Sequence, residues 1–347
     1  MSRTLDPETA SSLQSGDHKT VYNDIAAALC PQSPQLLEIE LLGKSHPLLP
    51  GSNLLQYGPG IAIPKLKLVQ AFIYARQLFF QLPNPCPEDR EQELLQTSAV
   101  ILLMDPEHVT AANARKRLIQ KAQRGPKTEL RELLKHELLF LDSYLTSRLH
   151  RHTKSPTLWG HRRWILEVFQ EAGIKWDLER DLKEVVLIAA ERHPRNYYAW
   201  LHMRWLLQNS RFGSSGNSSN VDEDKILSVL RSWCLRHPAD TSGFSFLLFY
   251  LSYLKSSRKP PGSQPCDASS SICQEVLGLA VSFKWSHESV WVFLRTLVAF
   301  GEVQESDKTA FFSSIHTIST AHQDDIRTQS ILQAAKNWCV KYKRRLA

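Results

Sequence analysis

The chain has 347 residues, 42% hydrophobic and 22% charged, with 14 glycines and 18 prolines. This balance excludes a disordered or collagen-like chain, and the length suits two domains or one elongated repeat array. The net charge of +7 suits an acidic partner or phosphates, but the basic stretches (Arg115 to Arg117, Arg162-Arg163, Lys341 to Arg345) are short and sit in no nucleic-acid module, so nucleic acid is not expected as a partner.

Met1 to Asp6 shows neither a signal-peptide pattern nor a myristoylation glycine. The six cysteines are scattered, without a Cys-x-x-Cys pair or zinc-ligand spacing. A reducing, cytoplasmic setting is expected, with no metal or other cofactor bound by this chain. The longest nearly apolar run, Phe244 to Leu254, is about half of the ~20 residues that span a bilayer, so an integral membrane protein is not expected.

In chain order, residues 1–90 read as an N-terminal segment. The tail is loose to about Lys19, Pro47 to Pro64 is rich in proline and glycine, and a helix is predicted over Lys65 to Gln81. This segment is expected to cap the rest of the chain. None of the nine tryptophans precedes Trp159, yet eight fall between Trp159 and Trp291. Around Trp159, Trp200 and Trp291 the same pattern recurs: a polar lead-in, the aromatic, then arginine three or four residues later (Arg162 and Arg163, Arg204, Arg295). Two weaker copies share the frame, one running from Asp105-Pro106 to Ala112 and Arg115, the other from His237-Pro238 to Phe244. The anchors 112, 159, 200, 244 and 291 lie 47, 41, 44 and 47 residues apart, which marks residues 91–300 as five repeats.

Each repeat reads as a helical hairpin. Leu134, Leu138, Leu141 and Leu145, and later Leu178, Leu182, Val185 and Ala189, recur at helical spacing in the first helix of their units. Pro194 stops one such helix, and the next starts near Asn196 with Trp200 and Arg204 on one face. Stacked hairpins must share one core, so the predicted fold is all-α, a curved solenoid, closed by C-terminal capping helices over 301–347. Arg211 to Asn220 and Ser256 to Ser271 are predicted loops, and the sequon at Asn217 is read as chance.

At these residues the sequence resembles the α subunits of heterodimeric protein prenyltransferases. Their repeat reads approximately Pro-Lys-Asn-Tyr-x-x-Trp-x-x-Arg-Arg-Trp. Pro194 to Trp200 matches it nearly residue for residue, and Trp159 to Trp164 matches its second half. The resemblance implies a right-handed superhelical, crescent-shaped solenoid wrapped around a β subunit. That partner supplies a zinc site to activate the substrate thiolate and an apolar funnel for the isoprenoid. It implies a transferase active only as a heterodimer, with an isoprenoid diphosphate as co-substrate and a protein with an accessible cysteine as acceptor. Geranylgeranyl is favoured because two of the family's three β-subunit types use it, and a Rab-type geranylgeranyltransferase β subunit fits as the partner. By the same resemblance Arg195 takes the place of the lysine that faces the diphosphate, and Asn196 and Tyr197 share its substrate-binding segment.

Each residue also has a plainer reading. Trp159, Trp200, Phe244 and Trp291 serve as structural anchors, either purely in packing or with some contact to a partner. Arg162, Arg163 and Arg204 either pair with acids of neighbouring repeats or present a basic partner-binding surface. Arg195 to Tyr197 can be a turn and helix start, since asparagine often caps helices. His161 and His202, at equivalent positions, read as structural. Cys234 and Cys339 read as buried. The first repeat lacks its tryptophan, and the fourth has Leu247 and Leu248 where arginine would stand. These losses support an alternative reading, a non-catalytic helical-repeat scaffold that binds protein partners.

Overall fold

The computed structural model describes residues 11, 13–14, 16–43, 46, 48–174, 176–209, 223–257 and 266–343. The predicted loop Arg211 to Asn220 and its sequon lie outside the described residues. So do most of the N-terminal tail and the middle of the second loop, whose end is already helical from Cys266. The chain divides into two compact units, Met1–Asn217 and Ser218–Ala347.

The first unit begins with α1 (His18–Leu29), capped by Asp17, whose carboxylate accepts from the Thr20 amide at 3.0 Å. A three-stranded sheet comes next: β1 (Glu38–Leu42), β2 (Leu55–Tyr57) and β3 (Gly60–Pro64). The strand order is β1-β3-β2, with β1 parallel and β2 antiparallel to β3. Sequence alone shows only a proline- and glycine-rich stretch here. The alternation that marks strands is confined to Ile39, Ile61 and Ile63, which are buried, and the runs are short. Gly58, with φ 54°, turns β2 into β3. α2 runs over Lys65–Gln81, the predicted span.

Helical hairpins then succeed one another: α3 (Glu91–Met104) with α4 (Val109–Ala122), α5 (Lys127–Leu145) with α6 (Pro156–Glu171), and α7 with α8 (Tyr197–Gln208). α7 is composite. Leu178–Arg180 and Leu187–Arg192 flank a wider π-helical stretch, Asp181–Val186. Leu134, Leu138, Leu141 and Leu145 are all buried on α5. On α7 Leu182, Val185 and Ala189 are buried and Leu178 is half-buried.

The second unit holds α9 (Glu223–Arg236) with α10 (Thr241–Ser257), α11 (Cys266–Ser282) with α12 (Glu288–Ala299), and α13 (Glu305–Ala321) with α14 (Ile326–Lys343). The last two, read from sequence as capping helices, pack together as a further hairpin, and α14 lies against α12. The apolar run Phe244 to Leu254 is the core face of α10, with Phe244, Phe246, Leu247, Tyr250, Leu251 and Leu254 buried. No helix among the described residues is long and apolar enough to cross a membrane. The fold is an all-α helical repeat apart from the small sheet.

Candidate functional site

The repeat is built on the start of each second helix. The cap residues are His108, Ser155, Asn196, Asp240 and Asp325. In each case a side-chain acceptor takes the amide three residues on, at 3.2, 3.0, 3.3, 2.8 and 3.2 Å. Satisfying these otherwise orphaned amides is what makes polar residues recur there. His287 occupies the same place without a side-chain bond. Asp325 extends the register into α14, a sixth copy that lacks the aromatic signature.

Four residues past the cap stands the anchor. Trp159, Trp200, Phe244 and Trp291 are at most 3% exposed, and Ala112 is equally buried. Trp159 donates its indole N–H to the Thr153 carbonyl and Trp291 to that of Trp285, each six residues upstream and 2.9 Å away. The turns are also bonded from hairpin to hairpin. Ser155 Oγ donates to the Pro106 carbonyl at 3.1 Å, and Ser289 Oγ donates to that of Pro238. Asn196 Nδ2 donates to the Thr153 carbonyl at 2.8 Å and to that of Ala189 at 3.3 Å.

This corrects the expectation for Asn196. The side chain is fully buried, and its oxygen and its amide nitrogen are both engaged within the chain, so it holds the turn and does not face a substrate. Its neighbours differ. Arg195 is exposed with φ 60°, in the left-handed region that side chains other than glycine and asparagine rarely occupy. Tyr197 is 60% exposed, and its amide donates to the Arg195 carbonyl at 2.9 Å.

Arg162 and Arg163 also part company. Arg162 is fully buried, its Nε donating to Asp142 at 2.7 Å and its Nη1 to Asp181 at 3.1 Å. The expectation that it faces a partner is therefore corrected, because the acids on α5 and α7 claim it. Burial opposes its charge, yet the two carboxylates hold its pKa above the ordinary arginine value. Burial likewise opposes ionisation of Asp181, but Arg162 keeps its pKa below the usual range. His202 Nε2 lies 2.7 Å from Arg162 Nη1 and 3.2 Å from Asp181.

The same assembly occurs one hairpin earlier. Arg115 donates to Glu137 at 2.8 and 2.7 Å, and His161 Nε2 lies 3.5 Å from that carboxylate. Arginine of one hairpin, acid of the next first helix and histidine of the next second helix form a repeated buried relay. Burial pushes both histidines down to about 4, so they are neutral at physiological pH and unsuited to exchange protons with solvent.

One residue beyond the buried arginine position, the cations turn outward. Lys116, Arg163, Arg204 and Arg295 are all half-buried. Lys116 Nζ lies 5.4 Å from the Trp164 ring, and the guanidinium of Arg163 lies 5.8 Å from that of Trp205. In the second unit Arg295 stacks on Trp338 at 4.4 Å. Each of these three cations thus lies over a tryptophan of the following hairpin, whose electron-rich face attracts the charge. Burial lowers the pKa of Lys116 and Arg163. Lys116, Arg163 and Arg295 have no ion pair within 4 Å among the described residues. The motif's second tryptophan, Trp164 or Trp205, is the sequence signal for this stacking, which the arginine spacing alone does not reveal.

Fold and register define a helical-hairpin repeat protein. Residues 158–276 match the family model for the ECM9 middle domain. The chain is 32% identical over 191 residues to the Danio rerio protein named protein prenyltransferase alpha subunit repeat-containing protein 1, covering 50% of this chain and 40% of that one. A Homo sapiens protein of the same name is 32% identical over 182 residues, covering 47% and 40%. The Xenopus laevis protein 1-B is 31% identical over 179 residues, covering 47% and 38%. The match spans about two fifths of the length of these relatives. Over half its length, the chain carries the repeats of this divergent, repeat-containing group.

Proposed function

We propose that this chain is the α-type subunit of a heterodimeric protein prenyltransferase, pairing in the cytoplasm with a zinc-bearing β subunit, a Rab-type geranylgeranyltransferase β subunit being the first choice. The pair transfers an isoprenoid, geranylgeranyl by preference, to a cysteine of a target protein. The thiolate sulfur bonds to C1 of the isoprenoid as the C1–oxygen bond breaks, and diphosphate departs with the electron pair. The β subunit supplies the zinc and the apolar funnel, and this chain supplies the fixed cation.

The observation that carries the reading is the Arg195 turn. Arg195 stands exposed on left-handed backbone, next to the turn held by the buried Asn196 clamp, in the segment that matches the family's diphosphate-facing motif. A cation fixed beforehand stabilises negative charge gathering on a leaving group. Arginine grips phosphate as a planar fork where lysine would act as a point charge.

The test is co-expression with each type of prenyltransferase β subunit, followed by size exclusion and a prenyl-transfer assay. A 1:1 complex that transfers lipid is expected. Arg195→Ala is expected to lower kcat by about ten- to a hundredfold with assembly unchanged, and Arg195→Lys to retain most of the rate. Absence of transfer with every β subunit sinks the reading. The scaffold alternative is favoured by the fourth hairpin, where Phe244, Leu247 and Leu248 replace tryptophan and arginine. A stable complex without transfer would support it.

A further inference from the structure

Away from the Arg195 turn, the first unit carries an open cleft of about 440 Å³ between the end of α2, the loop after it, and α4. Its floor and walls are apolar: Phe79 and Leu94 are buried, and Leu118 and Ala114 line it from α4. Phe80 stands at the edge, 61% exposed, packed edge-to-face on Phe79 at 5.6 Å. An apolar recess of this size, left open beside a well-packed core, has the character of a ligand site.

Its rim is basic. Arg117 and Lys121, one turn apart on α4, and Arg124, two residues past its end, line the cleft on the side of Ala114 and Leu118. Lys121 is paired with Glu91 at 2.9 Å and Glu88 at 3.2 Å. Arg117 and Arg124 are exposed and have no ion pair among the described residues. The Arg76 guanidinium lies over Phe80 at 5.1 Å, a further cation beside the mouth.

We infer that this cleft binds an anionic amphiphile, a ligand with an apolar chain and a phosphate or carboxylate head. The chain lies against Phe79, Phe80 and Leu118, and the head is held by Arg117 and Arg124. Neither half of the ligand suffices alone. A free anion gains only exposed, screened charge, and a neutral chain leaves both guanidiniums without a partner. The inference does not depend on the prenyltransferase reading.

Cys86 lines the cleft and reports on its occupancy. The 347-residue chain is titrated with dodecyl phosphate below its micelle concentration, following the heat of binding and the rate at which maleimide labels Cys86, with the labelled site read by mass spectrometry. Inorganic phosphate and dodecyl maltoside serve as head-only and neutral-chain probes. Dodecyl phosphate is expected to bind and to slow Cys86 labelling, with both controls at least about tenfold weaker, the worth of one charge-assisted hydrogen bond. The double variant Arg117→Glu/Arg124→Glu, changed only at exposed positions, is expected to weaken binding about tenfold. Thr110→Trp at the exposed mouth should block it. Unprotected Cys86, phosphate alone binding as well as the alkyl phosphate, or both variants binding like the parent would overturn the assignment.

Discussion

At Arg195 and Asn196, adjacent side chains take opposite tasks. Asn196 loses all exposure and closes a turn on two carbonyls, while Arg195 accepts unfavourable backbone in exchange for a fixed, exposed position. Left-handed backbone costs a side chain other than glycine about 1–2 kcal/mol. Arg195→Gly removes that cost but adds freedom to the unfolded chain, so thermal melting should show a Tm equal to or above the parent's, while transfer by the heterodimer falls as it does for Arg195→Ala. Asn196→Ala removes a cap and the clamp together and should cost about 2 kcal/mol or more by urea unfolding. The motif made Asn196 legible as a helix start. Sequence could not separate the capping oxygen from a substrate contact, because both use the same amide group.

Between helices, the buried relay decides stability in the first unit. Arg162→Met leaves Asp142 and Asp181 buried without a counter-ion and should destabilise by about 3–5 kcal/mol. Hydrogen exchange should quicken most along α5, α6 and α7, the helices that carry the three groups. Acid acts on the two histidines of this network and on a third outside it, His152, which is buried with its Nε2 3.1 Å from the Leu102 carbonyl. His152, His161 and His202 are held neutral with pKa about 4, against an unperturbed value of 6.5. The unfolded chain therefore binds more protons than the folded one between pH 6.5 and 4. Stability is fully present above about pH 6.5 and drains as pH falls through that window, by up to about 3 kcal/mol for each histidine. Urea midpoints measured from about pH 7.5 to 4.5 should decline along that course, and a His161→Gln/His202→Gln variant should show a flatter decline. The clue to this relay was present in sequence as acids on apolar stripes: Glu137 beside Leu138, Asp142 beside Leu141, Asp181 beside Leu182. An acid among leucines calls for a partner, but its identity depends on which helix comes to lie opposite.

Across the whole molecule, periodicity was the readable quantity. The spacing of aromatic anchors, the apolar stripes of α5 and α7 and the helix over Lys65–Gln81 all arise from local preference and the ~3.6-residue period, so the sequence alone determined an all-α helical repeat and where its hairpins turn. Short-range chemistry also set the cap residues, because an orphaned amide finds its acceptor within about three positions. Tertiary structure decided the rest. The small sheet depends on β1 finding β3 across an intervening strand, a pairing no local pattern specifies. The last hairpin is an extra turn of the register with its signature residues lost, visible only once Asp325 stands as a cap. Adjacent Arg162 and Arg163 were indistinguishable as letters. One was drawn inward by carboxylates from two other helices and the other outward onto a tryptophan of the next hairpin, because burial and charge pairing are properties of neighbours in space and not of neighbours in the chain.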